Sequence, residues 1–150
     1  PRTLRDGSSD ELIKSLAPDI IVVVAYGCII PPQLLHVAKY GCINLHVSLL
    51  PKYRGSAPIQ WAVLNGDAET GVTIMQLDEG LDTGDILYVQ PVTIDPDMTS
   101  GELFDRVIGR VPPDRIGCPH PQLGARYEPM ANGVLYAQWQ KNQSHRQQAF

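Results

Sequence analysis

Residues 19–47 read DIIVVVAYGCIIPPQLLHVAKYGCINLHV, and the two apolar runs in this stretch decide the fold. Residues 19–25 are a continuous, largely β-branched run, as expected of a strand buried on both faces of a parallel sheet. Tyr26-Gly27 closes it at what becomes the carboxyl edge. Pro31 and Pro32 suit the first turn of a helix, predicted to run through residue 38. Residues 42–47 then predict a second buried strand, on which Asn44 and His46, two positions apart, share one face.

Outward from this strand-helix-strand unit the pattern repeats. Upstream, Ser8-Ser9-Asp10-Glu11 has the spacing of a capping box, followed by Leu12, Ile13 and Leu16 on one face of a short helix that ends before Pro18. Downstream, a helix is predicted over 58–64, a strand over 71–77, and another over 85–94 that Pro91 marks as an edge or a bend. Thr99-Ser100-Gly101-Glu102 is a second capping box, starting a helix that contains Leu103, Phe104 and Val107. Alternation of this kind predicts the α/β class: a Rossmann-like, open, mostly parallel sheet with crossover connections and its site beyond the carboxyl ends of the strands. Gly-x-Gly-x-x-Gly is absent, so the sequence offers no dinucleotide fingerprint.

Composition narrows the class further. The chain has 150 residues, 43% hydrophobic and 19% charged, which suits a globular domain rather than a disordered one. Its longest apolar run, residues 20–25, is too short to span a bilayer, and no secretory leader pattern is visible. Three cysteines without paired spacing fit a reducing, cytoplasmic setting. The net charge of −4 divides unevenly: residues 1–107 carry seven Lys/Arg against fourteen Asp/Glu, and residues 108–150 carry five against two. Sustained periodicity also stops near Val107. The sequence therefore reads as a folded unit over 1–107 and an irregular tail over 108–150.

Three polar residues carry the chemistry. Asn44 and His46 precede a loop, and Asp82 follows 36 positions after the histidine inside Gly80-Leu81-Asp82-Thr83-Gly84. An amide and a protonated imidazole can form an oxyanion hole for acyl transfer to an amine, and a carboxylate can assist loss of the amine proton. Such a reaction needs neither a nucleophilic side chain nor a metal. Each residue has a structural alternative: Asn44 at a strand end, His46 as a hydrogen-bonded core histidine, Asp82 as a turn former. Asp67, Asp78 and Glu79 read as solvated turn charges, His36 as structural, and Lys52 and Arg54 as surface cations able to touch an anionic substrate.

The run INLHVSLLPKYRGSAPIQWAVLNGDAETGVTIMQLDEGLDTGDI, residues 43–86, resembles the core of the methionyl-tRNA formyltransferase family, within the wider formyltransferases that use 10-formyltetrahydrofolate. The likeness extends through APDIIVVVAYGCIIP upstream and TSGELFDRV downstream, covering residues 1–107. It implies formyl transfer to the amino group of initiator methionyl-tRNA, a translation-initiation step fed by one-carbon metabolism. Asn44, His46 and Asp82 match the family's catalytic trio, and Ser48-Leu49-Leu50-Pro51 match its folate-binding loop. Tyr26, Gly27, Cys28, Ile29 and Ile30 fall where backbone groups border the pterin. The resemblance further implies a cytoplasmic enzyme, monomeric when complete, with no metal and no membrane partner. Transfer to an amino sugar or another amine is the alternative activity.

Two departures from the family pattern are apparent. The β-α units that normally precede the position of Pro1 and the C-terminal tRNA-binding domain are missing, so the catalytic domain reads as truncated at its N-terminus and impaired in activity. The tail admits two readings, the product of a frameshift near codon 107 or a native binding arm marked by its Arg and Gln content: residues 138–143, read from the third base of codon 138 where that base is A, can encode Met-Ala-Lys-Glu-Ser, similar to the family's linker. A non-catalytic fragment with a partial folate pocket is the competing expectation.

Overall fold

The computed structural model describes residues 4–110 and, as backbone, residues 125–129 and 134–139. In chain order the elements are α1 (Asp10–Ser15), β1 (Ile20–Val24), α2 (Pro32–Leu35), β2 (Cys42–His46), α3 (Pro58–Leu64), β3 (Glu69–Gln76), β4 (Ile86–Thr93), α4 (Ser100–Gly109), β5 (Ala125–Pro129) and β6 (Val134–Trp139). The strands form one sheet in the order β4-β3-β2-β1-β6-β5. Only β1 and β2 run parallel among them; the other four pairings are antiparallel. The α/β class therefore stands, while the mostly parallel sheet expected from the sequence is corrected to a mixed one. For β3 and β4 the reason is the short loop 77–85, since parallel neighbours need a crossover of roughly a dozen residues or more.

Alternation along β1 and β2 sends side chains to two cores. Ile21, Val23 and Cys42 pack with Leu34, Leu35 and Ala38 of the α2 region on one face. On the other face Leu45 and Val72 pack with Ile59 and Ala62 of α3 and with Leu103 and Val107 of α4. Ile20, Val22, Ile43 and Ile74 form a third buried cluster. Burial raises the Cys42 thiol to about 12, and its Sγ donates to the Leu34 carbonyl, so this cysteine serves packing.

Local signals met different fates. At α4, Thr99 accepts from the Glu102 amide while the Glu102 carboxylate accepts from the Thr99 amide, completing the expected box and holding that carboxyl below its usual range. At α1 the box does not form. Asp6 Oδ1 takes the amide and hydroxyl of Ser8, and the helix starts at Asp10 without a side-chain cap. Leu12 is exposed, Ile13 packs partly against the core, and no residue of α1 is fully buried. Helix α2 stops at Leu35 rather than at residue 38, with His36 as its exposed C-cap. Pro91 lies in β4, one of the two edge strands among the described residues, while the register shift falls between Ile74 and Met75.

Helix α4 crosses the boundary drawn at residue 107 and ends at Gly109. Strands β5 and β6 lie in the segment read as an irregular tail, and β6 pairs antiparallel with β1. Residues 111–124 and most of the stretch 138–143 used for the codon reading lie outside the described residues.

Leu103 is wholly buried, whereas Leu64 is 74% exposed. Leu103→Ala should cost about 2–5 kcal/mol, and Leu64→Ala less than about 0.5 kcal/mol. Urea unfolding with unchanged m-values checks both.

Candidate active site

The last residues of β2 face the loop after β3, and three side chains meet there. Asn44 Nδ2 lies 3.5 Å from Asp82 Oδ1, and His46 Nδ1 lies 3.5 Å from Asp82 Oδ2. Both separations exceed the usual range for strong hydrogen bonds, which leaves each polar group able to take a closer partner. The His46 ring is nearly buried at 6% exposure, and Asn44 and Asp82 are half-buried. His46 Nε2 is 2.8 Å from the Tyr53 carbonyl. A carbonyl only accepts, so Nε2 carries a proton, and Nδ1 is the nitrogen turned towards the carboxylate.

Loop 47–57 holds this arrangement from the opposite side. The Gly55 amide donates to Asp82 Oδ2 at 2.8 Å, two residues after the carbonyl that anchors His46. Gly55 adopts φ +84, a left-handed conformation, and a Cβ there would crowd a methyl of Leu81 at 3.3 Å. The wholly buried Ser48 hydroxyl donates to the Lys52 carbonyl at 2.6 Å. Thr73, directly across from His46 on β3, accepts from the Leu50 amide at 3.2 Å and donates to the Ser48 carbonyl at 2.7 Å. A Cβ on Gly71 would strike the Gln90 backbone carbonyl of the paired strand and the tip of the Leu49 side chain, so the close pairing of β3 with β4 there requires glycine. The Leu50-Pro51 peptide is cis.

Asp82 itself takes φ +51 in its turn. Asp78 organises that turn, accepting from the Gly80 amide at 3.0 Å and the Thr83 hydroxyl at 2.8 Å. Glu79 is exposed. Asp67 proves to be more than a solvated charge: it accepts from Lys52 Nζ at 2.8 Å and from the Tyr53 hydroxyl at 2.7 Å. Lys52 thus pairs within the protein, and Arg54 is exposed on the same loop.

Of the other expected site residues, Gly27, Cys28 and Ile29 are exposed beyond the carboxyl end of β1, and Tyr26 is half-buried against the α2-side core. Burial raises the Tyr26 phenol above its ordinary value. In the loop after β2, Leu49 and Leu50 are half-buried and Pro51 is exposed, while Ser48 turns its hydroxyl inward. Among the described residues no group of three or more His, Cys, Asp or Glu is placed to hold a metal ion. No helix among them is long and apolar enough to cross a membrane. Sequence reasoning overlooked Tyr53, Gly55 and Thr73. The first two act through backbone atoms, which residue type does not advertise; a glycine two positions after an aromatic in a polar loop was the available hint.

A model of the formyl transferase family matches residues 1–110. The chain is 55% identical over 108 residues to methionyl-tRNA formyltransferase of Clostridioides difficile (strain 630), covering 72% of this chain and 35% of that protein. It is 58% identical over 97 residues to the protein of the same name in Geotalea uraniireducens (strain Rf4), covering 65% of this chain and 31% of that protein. It thus spans about a third of the length of the curated relatives it matches. Among solved structures it is similar to glycinamide ribonucleotide transformylase 1 from Geobacillus kaustophilus, at TM-score 0.61 and 34% identity, covering 71% of this chain and 56% of the other. It is also similar to the formyltransferase PseJ from Anoxybacillus kamchatkensis, solved with UDP-4,6-dideoxy-4-formamido-L-AltNAc and tetrahydrofolate. That likeness has TM-score 0.55 and 37% identity, covering 61% of this chain and 48% of the other.

Two outcomes test the loop's construction. Thr73→Val keeps the shape but strands the Ser48 carbonyl and the Leu50 amide, and should cost about 1–3 kcal/mol with faster hydrogen exchange at the Leu50 amide. The Lys52 and Tyr53 hydrogen bonds hold the Asp67 carboxyl below its ordinary 3.8. A depressed folded value means the contribution is full above the unfolded value and lost as pH falls through the folded one. Asp67→Asn should therefore flatten the acid side of the stability curve below about pH 4, read by urea unfolding across pH.

Proposed function

The chain belongs to the formyl transferase family, and on that premise we propose that it carries the reacting site of a methionyl-tRNA formyltransferase. In this reading a formyl group passes from 10-formyltetrahydrofolate to the amino group of methionine esterified to initiator tRNA. The observation that carries the reaction is the meeting of Asn44, His46 and Asp82 at separations of 3.5 Å. The acceptor rests on the relatives that share 55–58% identity and bear that name.

The donor set suits the reacting end of the folate: one amide, one imidazole and one carboxylate converge. When bound, the folate supplies an activated formyl carbonyl. Asn44 Nδ2–H donates towards the oxygen on which charge develops, and a protonated His46, anchored through Nε2–H, donates Nδ1–H beside it. Asp82 takes the proton that the attacking amine loses, directly or through one water. A carbon–nitrogen bond forms to the amine as one breaks to the folate, and the departing nitrogen gains the proton that balances the one lost.

Gly27, Cys28 and Ile29 after β1 and the segment from Ser48 to Pro51 are the candidates for holding the rest of the folate. Ser48 contributes there by shaping the loop, since its hydroxyl is engaged internally. A cytoplasmic setting accords with translation initiation and with the free thiols of Cys28 and Cys42.

In a full-length protein carrying this chain, incubation with 10-formyltetrahydrofolate and initiator methionyl-tRNA should give formylmethionyl-tRNA, and His46→Ala or Asp82→Ala should lower the rate at least about 100-fold with the circular dichroism unchanged. Undiminished turnover in both variants would remove these side chains from the mechanism. Preference for an amino sugar or glycinamide ribonucleotide would move the acceptor.

A further inference from the structure

His46 is held by a backbone carbonyl, and that carbonyl is itself in a constrained place. Tyr53 adopts φ +57, a left-handed conformation that a bulky residue keeps only when its surroundings impose it. Those surroundings are side chains outside the reacting trio. The Tyr53 hydroxyl donates to Asp67 Oδ2 at 2.7 Å and accepts from Asn65 Nδ2 at 2.8 Å. Lys52 Nζ bridges the assembly, 2.8 Å from Asp67 Oδ1 and 5.1 Å from the Tyr53 ring centroid. The Asp67 amide is fixed in turn by the Ala62 carbonyl at 3.0 Å, which ties the carboxylate to the end of α3.

We infer that Asp67 is a positioning residue for formyl transfer, acting through Tyr53 to set the carbonyl that orients the His46 ring. This rests on the functional reading above. The chain of contact is short: the α3 terminus fixes Asp67, Asp67 fixes the phenol, the phenol fixes the left-handed backbone at Tyr53, and its carbonyl holds Nε2–H. The same segment delivers the Gly55 amide to Asp82, so a slack Tyr53 disturbs both the imidazole and the carboxylate. Asp67 touches neither of them and does not contact the reacting atoms. Loss of Asp67 should therefore lower turnover and leave substrate affinity nearly intact.

Four variants decide the point: Asp67→Ala, Asp67→Asn, Tyr53→Phe, and Asp95→Ala as a control that breaks the pair between Arg106 of α4 and Asp95 in the loop before it. Two readouts are taken on each, steady-state formyl transfer and the nitrogen resonances of the His46 ring. Asp67→Ala and Tyr53→Phe should reduce kcat about tenfold with KM within about twofold, and should shift the Nε2 resonance away from its hydrogen-bonded position. Asp67→Asn retains an acceptor for the phenol and should recover most of kcat. Asp95→Ala should leave both readouts unchanged. Wild-type kcat and ring resonances in Asp67→Ala and Tyr53→Phe would overturn the inference, as would an equal kcat loss in Asp95→Ala. Should a full-length protein carrying this chain transfer no formyl group to any acceptor, the proposed function fails, and the ring resonances still decide whether Asp67 positions His46.

Discussion

A strand covered on both faces offers little water to its polar side chains, and β2 carries two of them, half-buried Asn44 and buried His46, in its last three residues. Burying an amide or an imidazole is unfavourable by several kcal/mol, in order of magnitude, unless a partner is supplied. The partners of Asn44 and His46 come from elsewhere in the chain: Asp82 after β3, and the Tyr53 carbonyl in the loop after β2. Much of the irregular backbone near the site can be understood as satisfying that requirement. Loop 47–57 is clamped by Ser48 and Thr73, and the turn around Asp82 by Asp78, so the two sources of partners are themselves fixed.

The two-sided burial that makes these partners necessary is also what made the strand legible. The β-branched run at residues 20–24 and the alternation through residues 42–46 are strong signals because every side chain on them has a packed environment. Elements with weaker environments were read less well. Helix α1 has no fully buried residue and packs on the core only through Ile13, so its start was free to be set by Asp6 rather than by the apparent capping box, whereas the box at Thr99 formed over a helix anchored by Leu103 and Val107. Strand direction was the larger miss. Burial pattern distinguishes covered from uncovered strands but not parallel from antiparallel ones, and the short loop 77–85 carried the relevant constraint.

At the site the division is between side chains and backbone. Asn44, His46 and Asp82 could be picked out because amide, imidazole and carboxylate are chemically distinctive and their spacing placed two of them on one strand face. Tyr53 and Gly55 could not, since a carbonyl and an amide are common to nearly every position. Asp67 was misjudged for a related reason: a turn carboxylate looks the same in sequence whether it meets water or a lysine and a phenol. Three converging polar groups do not specify an acceptor, and the one proposed rests on the relatives named above.

The carbonyl of Tyr53 and the amide of Gly55 engage different members of the trio from positions two residues apart. Surface loops ordinarily accommodate inserted or deleted residues because their ends bear the geometric requirement and their middles do not. Here the requirement sits in the middle. One residue added between these two contacts would force the chain to release either the imidazole or the carboxylate, so a segment lying at the surface is held to a fixed length as strictly as a strand in the core.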